Sequence, residues 1–437
     1  MTGHDDAMFS RYMALIQQTV TPAQMRCATP LAMMATLFAM FISLFTPATI
    51  SAAPHLSIDL ETGRVLSHKQ AFDAWHPASL AKLVTAWVVF REIEAGRIAL
   101  DSPVRVSKEA RRQPPSRMGY RVGTVMTVEN ALPQVTIKSA NDISVALAEA
   151  VGGTVAGFTD MMNREARSLG MTGSHFVNPH GLHDPRQVTT ARDMGILVRA
   201  LHKRFPQYGH LFRSASILAP QRTKQRRIIQ RVYYSYNLLL ERYRGGDGFK
   251  TGFVCASGYN FIGSATRSGR RIAAVVLGRD SQTSRAVDAA KLITEGFQLP
   301  NDAGTPIEEL KPDANAVASP RNLRPVMCSA AARAARYEPG AGQAVINSPW
   351  LSEREISGKP ITVRLGGATA MIPTARAPLP TWRPAVSPNI TAIFQTTAGP
   401  QTSSQKVETT TESAGDGKVA LAVERNLAIP TFRPAGR

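Results

Sequence analysis

His76-Pro77-Ala78-Ser79-Leu80-Ala81-Lys82-Leu83-Val84-Thr85 reads as the entry into a buried helix with a serine on its first turn. Pro77 stands just ahead of that helix and Ser79 can begin it. Leu80, Leu83, Val84, Trp87, Val88 and Ile93 continue an apolar pattern as far as Gly96, a C-terminal stop. Residues i and i+3 are neighbours on a helix, which puts the Ser79 hydroxyl and the Lys82 amine within hydrogen-bond reach. A serine alone is a poor nucleophile and needs a base beside it. A lysine serves as that base only when its amine is neutral, a state that burial or a second nearby cation favours.

Ser-x-x-Lys is frequent by chance, and alone it would mark the start of a surface helix. Here Ser139-Ala140-Asn141 and then Lys250-Thr251-Gly252 follow it in order. Order, residue type and separation together match the three motifs of the penicillin-recognising serine acyltransferases.

With 437 residues the chain has room for one large domain or two to three small ones, and 43% apolar content is ample for a packed core. The net charge of +19 raises the question of a polyanionic partner. No zinc-ligand spacing, basic heptad helix or aromatic–basic RNA signature accompanies it, so nucleic acid is not the expected partner. The scattered arginines read as solvated surface that an anionic cell wall or membrane would attract. Cys27, Cys255 and Cys328 are too few for a disulfide framework. A Cys255–Cys328 bridge requires an oxidising compartment, and a buried free thiol at Cys255 is the favoured expectation.

Residues 1–53 read as a leader. Met13 and Met25 offer alternative starts, and the apolar run Leu31–Phe45 is followed by Pro47 and by Ser51-Ala52-Ala53, small residues suited to cleavage after Ala53. The run is short for a spanning helix, so secretion to the periplasm is expected. A hairpin over 56–68, the Ser79 helix, helices over 143–151, 155–169 and 191–202, and strands over 248–254, 259–266 and 271–277 precede a helix over 284–297. Residues 210–231, with Arg222, Lys224, Arg226, Arg227 and Arg231, read as an exposed basic face. This succession predicts one α+β domain over 54–300 whose antiparallel sheet joins both ends, flanked by helices. Residues 301–437, rich in Ala, Pro, Thr, Ser and Arg, read as a mostly disordered tail. In it Pro380-Thr381-Trp382-Arg383-Pro384 recurs as Pro430-Thr431-Phe432-Arg433-Pro434, a pattern that suits a docking peptide.

From Leu56 to Phe297 the chain resembles the low-molecular-mass penicillin-binding proteins, specifically the D-alanyl-D-alanine carboxypeptidases of bacterial cell-wall metabolism. The three motifs carry the resemblance, with Ser116-Arg117-Met118-Gly119, Phe176-Val177-Asn178-Pro179-His180-Gly181-Leu182, Asp247-Gly248-Phe249 and Ala256-Ser257-Gly258-Tyr259-Asn260. It implies the transpeptidase fold shared with β-lactamases, including a helical subdomain. It also implies a serine peptidase of peptidoglycan metabolism and cell shape, acting on stem peptides ending in D-Ala-D-Ala and inhibited by β-lactams. On that likeness Ser79 is the nucleophile, Lys82 its base, Ser139 a proton relay and Asn141 the residue holding Lys82 and substrate. Lys250, Thr251 and Arg285 would bind the terminal carboxylate, Gly252 would allow close approach, and the Ser79 and Phe253 N–H groups would form the oxyanion hole. The resemblance calls for no cofactor and no metal. His76, His175, His180 and His183 also lack a metal-ligand spacing. Phe253 and Val254 depart from relatives that often carry a polar residue there, and the tail has no sustained amphipathic helix from which to expect a membrane anchor.

Three rivals use the same residues or none of them. A β-lactamase would need a glutamate-held water, and Glu165 reads as part of a plain helix. A DD-endopeptidase would need a wider cleft. A non-catalytic wall-binding protein would not need three intact motifs.

Overall fold

Strands β1 (His55–Asp59) and β2 (Arg64–Lys69) pair antiparallel around a turn in which Asp59 Oδ1 accepts from the Glu61 and Thr62 N–H groups. These strands open the computed structural model, which describes residues 54–337 apart from 224, and 346–368 apart from 347 and 354–357. The expected leader and the repeated aromatic–proline motif lie outside the described residues.

Three sheets organise the described residues. Strands β3 (Pro103–Arg105) and β4 (Val125–Thr127) form a two-stranded ribbon, and β5 (Ser216–Arg222) and β6 (Ile228–Tyr234) form a hairpin that β11 (Ile361–Thr362) joins in parallel. Strands β7 (Gly246–Val254), β8 (Gly258–Arg267), β9 (Arg270–Arg279) and β10 (Thr305–Pro306) complete the main sheet in the order β10-β2-β1-β9-β8-β7. The N-terminal hairpin joins the later strands in the middle of this sheet, where His55 stands opposite Val276 and Asp59 opposite Ile272.

The longer helices among the described residues are α1 (Ala81–Glu94), α2 (Val128–Thr136), α3 (Asn141–Gly152), α4 (Val155–Ser168), α5 (Ala191–Arg204) and α6 (Gln282–Gln298), with shorter helical segments between and beyond them. Successive strand residues face opposite ways, and β9 is buried on both sides. Ala273, Val275 and Leu277 enter the large core that α1 and α5 share, whereas Ile272, Ala274 and Val276 meet α6. That double burial explains why Ile272–Leu277 is uninterruptedly apolar. Helix α1 is likewise central, with 11 of its 14 residues buried. Thr190 caps α5, as expected, by accepting from the Asp193 N–H.

Four expectations need correction. Ser79 lies in a single 3₁₀ turn, Ala78–Leu80, and the α-helix begins only at Ala81. Cys255 is no free thiol, because its sulfur is bonded to that of Cys328 with the Cα atoms 5.6 Å apart. The stretch after residue 210 exposes Arg222, Arg226, Arg227 and Arg231 as expected, but it is not exposed throughout, because it folds as a β-hairpin whose first strand buries Ile217 and Ala219. Packed chain continues beyond residue 300, where β10 extends the sheet beside β2 and Ile307, Met327, Leu351 and Val363 are buried.

Candidate active site

The turn before α1 is set by contacts far away in sequence. The Asn260 side-chain amide donates to the His76 and Pro77 carbonyls at 2.8 and 3.1 Å, while its Oδ1 accepts from the Gly278 N–H. The Trp75 indole donates to the Ser257 carbonyl at 3.0 Å. Ala78 is held at φ +49° and Ser139, at the tip of the second motif, at φ +64°. Left-handed values at residues with a Cβ cost energy and persist only where the surroundings enforce them. A Cβ at Gly181 would lie 1.7 Å from the Ala78 carbonyl oxygen, so a bare backbone is required against the serine's turn.

Within this frame Ser79 is half-buried and Lys82 fully buried. The Lys82 amine donates to Ser79 Oγ at 3.1 Å, to Asn141 Oδ1 at 2.7 Å and to the His180 carbonyl at 2.6 Å. An ammonium would donate to all three; a neutral amine donates to Asn141 and the His180 carbonyl and turns its lone pair to the Ser79 hydroxyl. Burial nevertheless drives the amine well below its ordinary pKa, and like charge from Lys250 and Lys138 adds to the fall against an opposing pull from Asp142. A lysine kept neutral beside a serine hydroxyl can accept that hydroxyl's proton.

Asn141 opens α3 and is fixed from two sides: its N–H donates to the Ser116 carbonyl at 2.7 Å and its side-chain amide to the Pro114 carbonyl at 2.9 Å. The next residue, Asp142, is fully buried, and its carboxylate receives the Met118, Gly119 and Ile143 N–H groups. Burial raises its pKa, against the downward pull of those N–H groups. Lys138 donates to Ser116 Oγ at 2.8 Å. Ser139, the next residue after Lys138, is buried.

Edge strand β7 forms the other wall. Lys250 and Thr251 are buried, and burial together with Arg285 and Lys138 pushes the Lys250 amine down to about 7. A Cβ added at Gly252 would stand 3.1 Å from the Ser79 nitrogen, so the strand backbone runs directly against the serine's turn. Phe253 follows, its ring 4.3 Å from that of Tyr259.

The sequence assigns Arg285 to the terminal carboxylate; in the structure its contacts are with the backbone beside the site. It is buried, donating to the Gly252 and Asn260 carbonyls at 3.1 and 3.2 Å with its guanidinium over the Tyr259 ring. Burial brings its pKa down to about 10. These contacts make it a clamp on the β7–β8 pair. The sequence reading gave no part to the His180 carbonyl, Asp142 or Asn260. The only trace of the first was the glycine after His180, whose φ of +86° the turn requires.

Comparison with known proteins agrees with this geometry. The family described as D-alanyl-D-alanine carboxypeptidase matches residues 43–281. The D-alanyl-D-alanine carboxypeptidases DacC and DacD of Escherichia coli are 33% and 34% identical to the chain. These alignments cover 63% and 58% of this chain and 70% and 64% of the respective relatives, so about a third of each relative lies outside the match. Among solved structures, penicillin binding protein 6B from Escherichia coli superposes with a TM-score of 0.52 at 32% identity, covering 58% of this chain and 80% of that one.

Proposed function

Since the chain belongs to the D-alanyl-D-alanine carboxypeptidase family, we propose that it removes the terminal D-alanine from peptidoglycan stem peptides through an ester on Ser79. The observation that carries this reading is the buried Lys82 amine, 3.1 Å from Ser79 Oγ and held by Asn141 and the His180 carbonyl. Lys82 takes the hydroxyl proton as Ser79 Oγ attacks the carbonyl carbon between the last two D-alanines. The negative charge that develops on the carbonyl oxygen falls between the Ser79 and Phe253 N–H groups, each donor worth about 10²–10³ in rate. Ser139 relays the proton held by Lys82 to the leaving nitrogen as the C–N bond breaks, giving its own proton and taking that one. Water then hydrolyses the ester and regenerates Ser79. Lys250 and Thr251 receive the substrate carboxylate. Arg285 acts one layer behind them by holding β7.

A β-lactam offers the same carbonyl next to a carboxylate, so penicillin acylates Ser79 and leaves slowly. Glu165 is already engaged: its Oε2 accepts from the Trp87 indole at 2.8 Å and from Arg91 at 3.3 Å, about two and three helical turns beyond Ser79. That placement argues against the water-holding glutamate of a β-lactamase, and Glu165→Gln is expected to leave penicillin turnover slow.

The reading is tested by mass spectrometry of the intact protein after penicillin exposure and by D-alanine release from a D-Ala-D-Ala peptide. Ser79→Ala should lose both. Rapid penicillin turnover without D-alanine release would overturn it. The site of action we place outside the cytoplasmic membrane, a reading supported by the disulfide and by the apolar run ahead of Ala53. Among the described residues no helix is long and apolar enough to cross a membrane.

A further inference from the structure

Beyond α6 the chain returns to the site and is fastened at two places. Near its start Val317 is paired with the loop ahead of Ser79: its N–H donates to Asp73 Oδ1 at 3.0 Å, and its carbonyl accepts from the Ala74 N–H at 2.8 Å. Farther on, the Leu323 N–H donates to the Ala256 carbonyl at 2.9 Å, Met327 is buried, and Cys328 is bonded to Cys255. Residues 317–328 therefore strap one segment to the other. One leads into Ser79. The other follows directly from Phe253.

Strand β7 is at the edge of the main sheet and pairs only with β8 there. The inner ties between the two segments come from Trp75 to Ser257 and from Asn260 to His76 and Pro77, all beyond the turn that follows Val254. Phe253, Val254 and Cys255 are partly exposed. This run is held on its inner side by β8 and by Arg285 on the Gly252 carbonyl, and the strap adds a restraint at Cys255 and Ala256.

We infer that the Cys255–Cys328 bond and the strap it locks are a positioning device for the two backbone donors of Ser79 and Phe253, so that enzyme activity follows the state of this disulfide. The inference rests on the catalytic reading above. Dithiothreitol breaks the bond by two electrons, its own two thiols closing into a cyclic disulfide while Cys255 and Cys328 each gain a hydrogen. Both sulfurs belong to partly exposed residues that a small reductant reaches. The donors act on charge present only in the transition state, so loosening them lowers kcat and leaves KM nearly unchanged. A displacement of even an ångström at such a site is expensive in rate, and a fall of about tenfold is expected.

The test reduces the intact protein in solution, counts two new thiols by alkylation, and follows penicillin acylation and D-alanine release with the melting curve recorded in parallel. Expected is at least a roughly tenfold fall in acylation rate and in kcat, with KM unmoved, in protein that still melts cooperatively above the assay temperature. Reoxidation should restore the rate. The Cys255→Ser/Cys328→Ser double variant should reproduce the reduced enzyme, and where it fails to fold the reduced parent decides alone. Reduced protein acylated within twofold of the oxidised form, or a change in KM alone, overturns the inference and leaves the catalytic reading standing. Oxidised protein that neither binds penicillin nor releases D-alanine overturns both.

Discussion

Lys82 illustrates how a residue acquires a role that its type alone does not confer. Its amine is kept neutral, and so free to take a proton, by burial first and by the nearby Lys250 cation second. Acylation should therefore rise with pH along a limb set by loss of the Lys82 proton, well below the ordinary lysine range. Removing a neighbouring positive charge raises the pKa of an amine. In Lys250→Met the limb should accordingly move to higher pH, and acylation rates measured across pH would refute this if the limb stayed or moved down. Gly181→Ala makes a second test at this scale. The new Cβ would collide with the Ala78 carbonyl and displace the serine's turn, so acylation should fall by about a hundredfold, measured with a labelled penicillin. Ser79, Lys82, Asn141 and Lys250 were legible because their types recur at fixed order and separation. The His180 acceptor was not, since a backbone carbonyl carries no residue signature. The backbone contacts of Arg285 were not legible, and Cys255 was misjudged as a free thiol, because partners 33 and 73 positions apart leave no mark on local spacing.

At the level of elements, the start of α3 carries the second motif only because a loop is tied down to it. The Asp142 carboxylate gathers the N–H groups of Met118 and Gly119, and the same loop offers the Ser116 carbonyl to Asn141. Asp142→Ala should cost about 3 kcal/mol of stability by stranding those donors. It should also lower kcat by freeing Asn141, both checked by thermal melting and D-alanine release. Closing a loop with a sequence separation of 73, the Cys255–Cys328 bond constrains the unfolded chain by about 4 kcal/mol. Helix α5 and its Thr190 cap could be read directly, because a capping side chain and a periodic face are local properties. The β5–β6 hairpin could not, since its exposed second strand, Ile228–Tyr234, offers arginine and glutamine where a half-buried strand would alternate.

Taken whole, the domain is larger than its composition suggested. A chain ended at Pro300 would forfeit the burial of Ile307, Met327, Leu351 and Val363, each worth roughly 1.5–3 kcal/mol. Relative to a chain ended at residue 368, its melting temperature should be lower by at least about 10 °C, and equal melting temperatures would contradict the packing described. The antiparallel sheet uniting both ends was evident from strands clustered at 55–69 and 246–279. The continuation past residue 300 was not, because a strap fastened by backbone hydrogen bonds and one disulfide needs no periodicity. The pairing of β1 with β9 has a further consequence, for timing. His55–Asp59 cannot find its central neighbour until Ile272–Val276 has been synthesised, and such long-range closure makes folding slow. Until then the nascent polypeptide remains a thread without a finished centre, inert toward any peptide it meets and still slack enough to be passed through a narrow conduit.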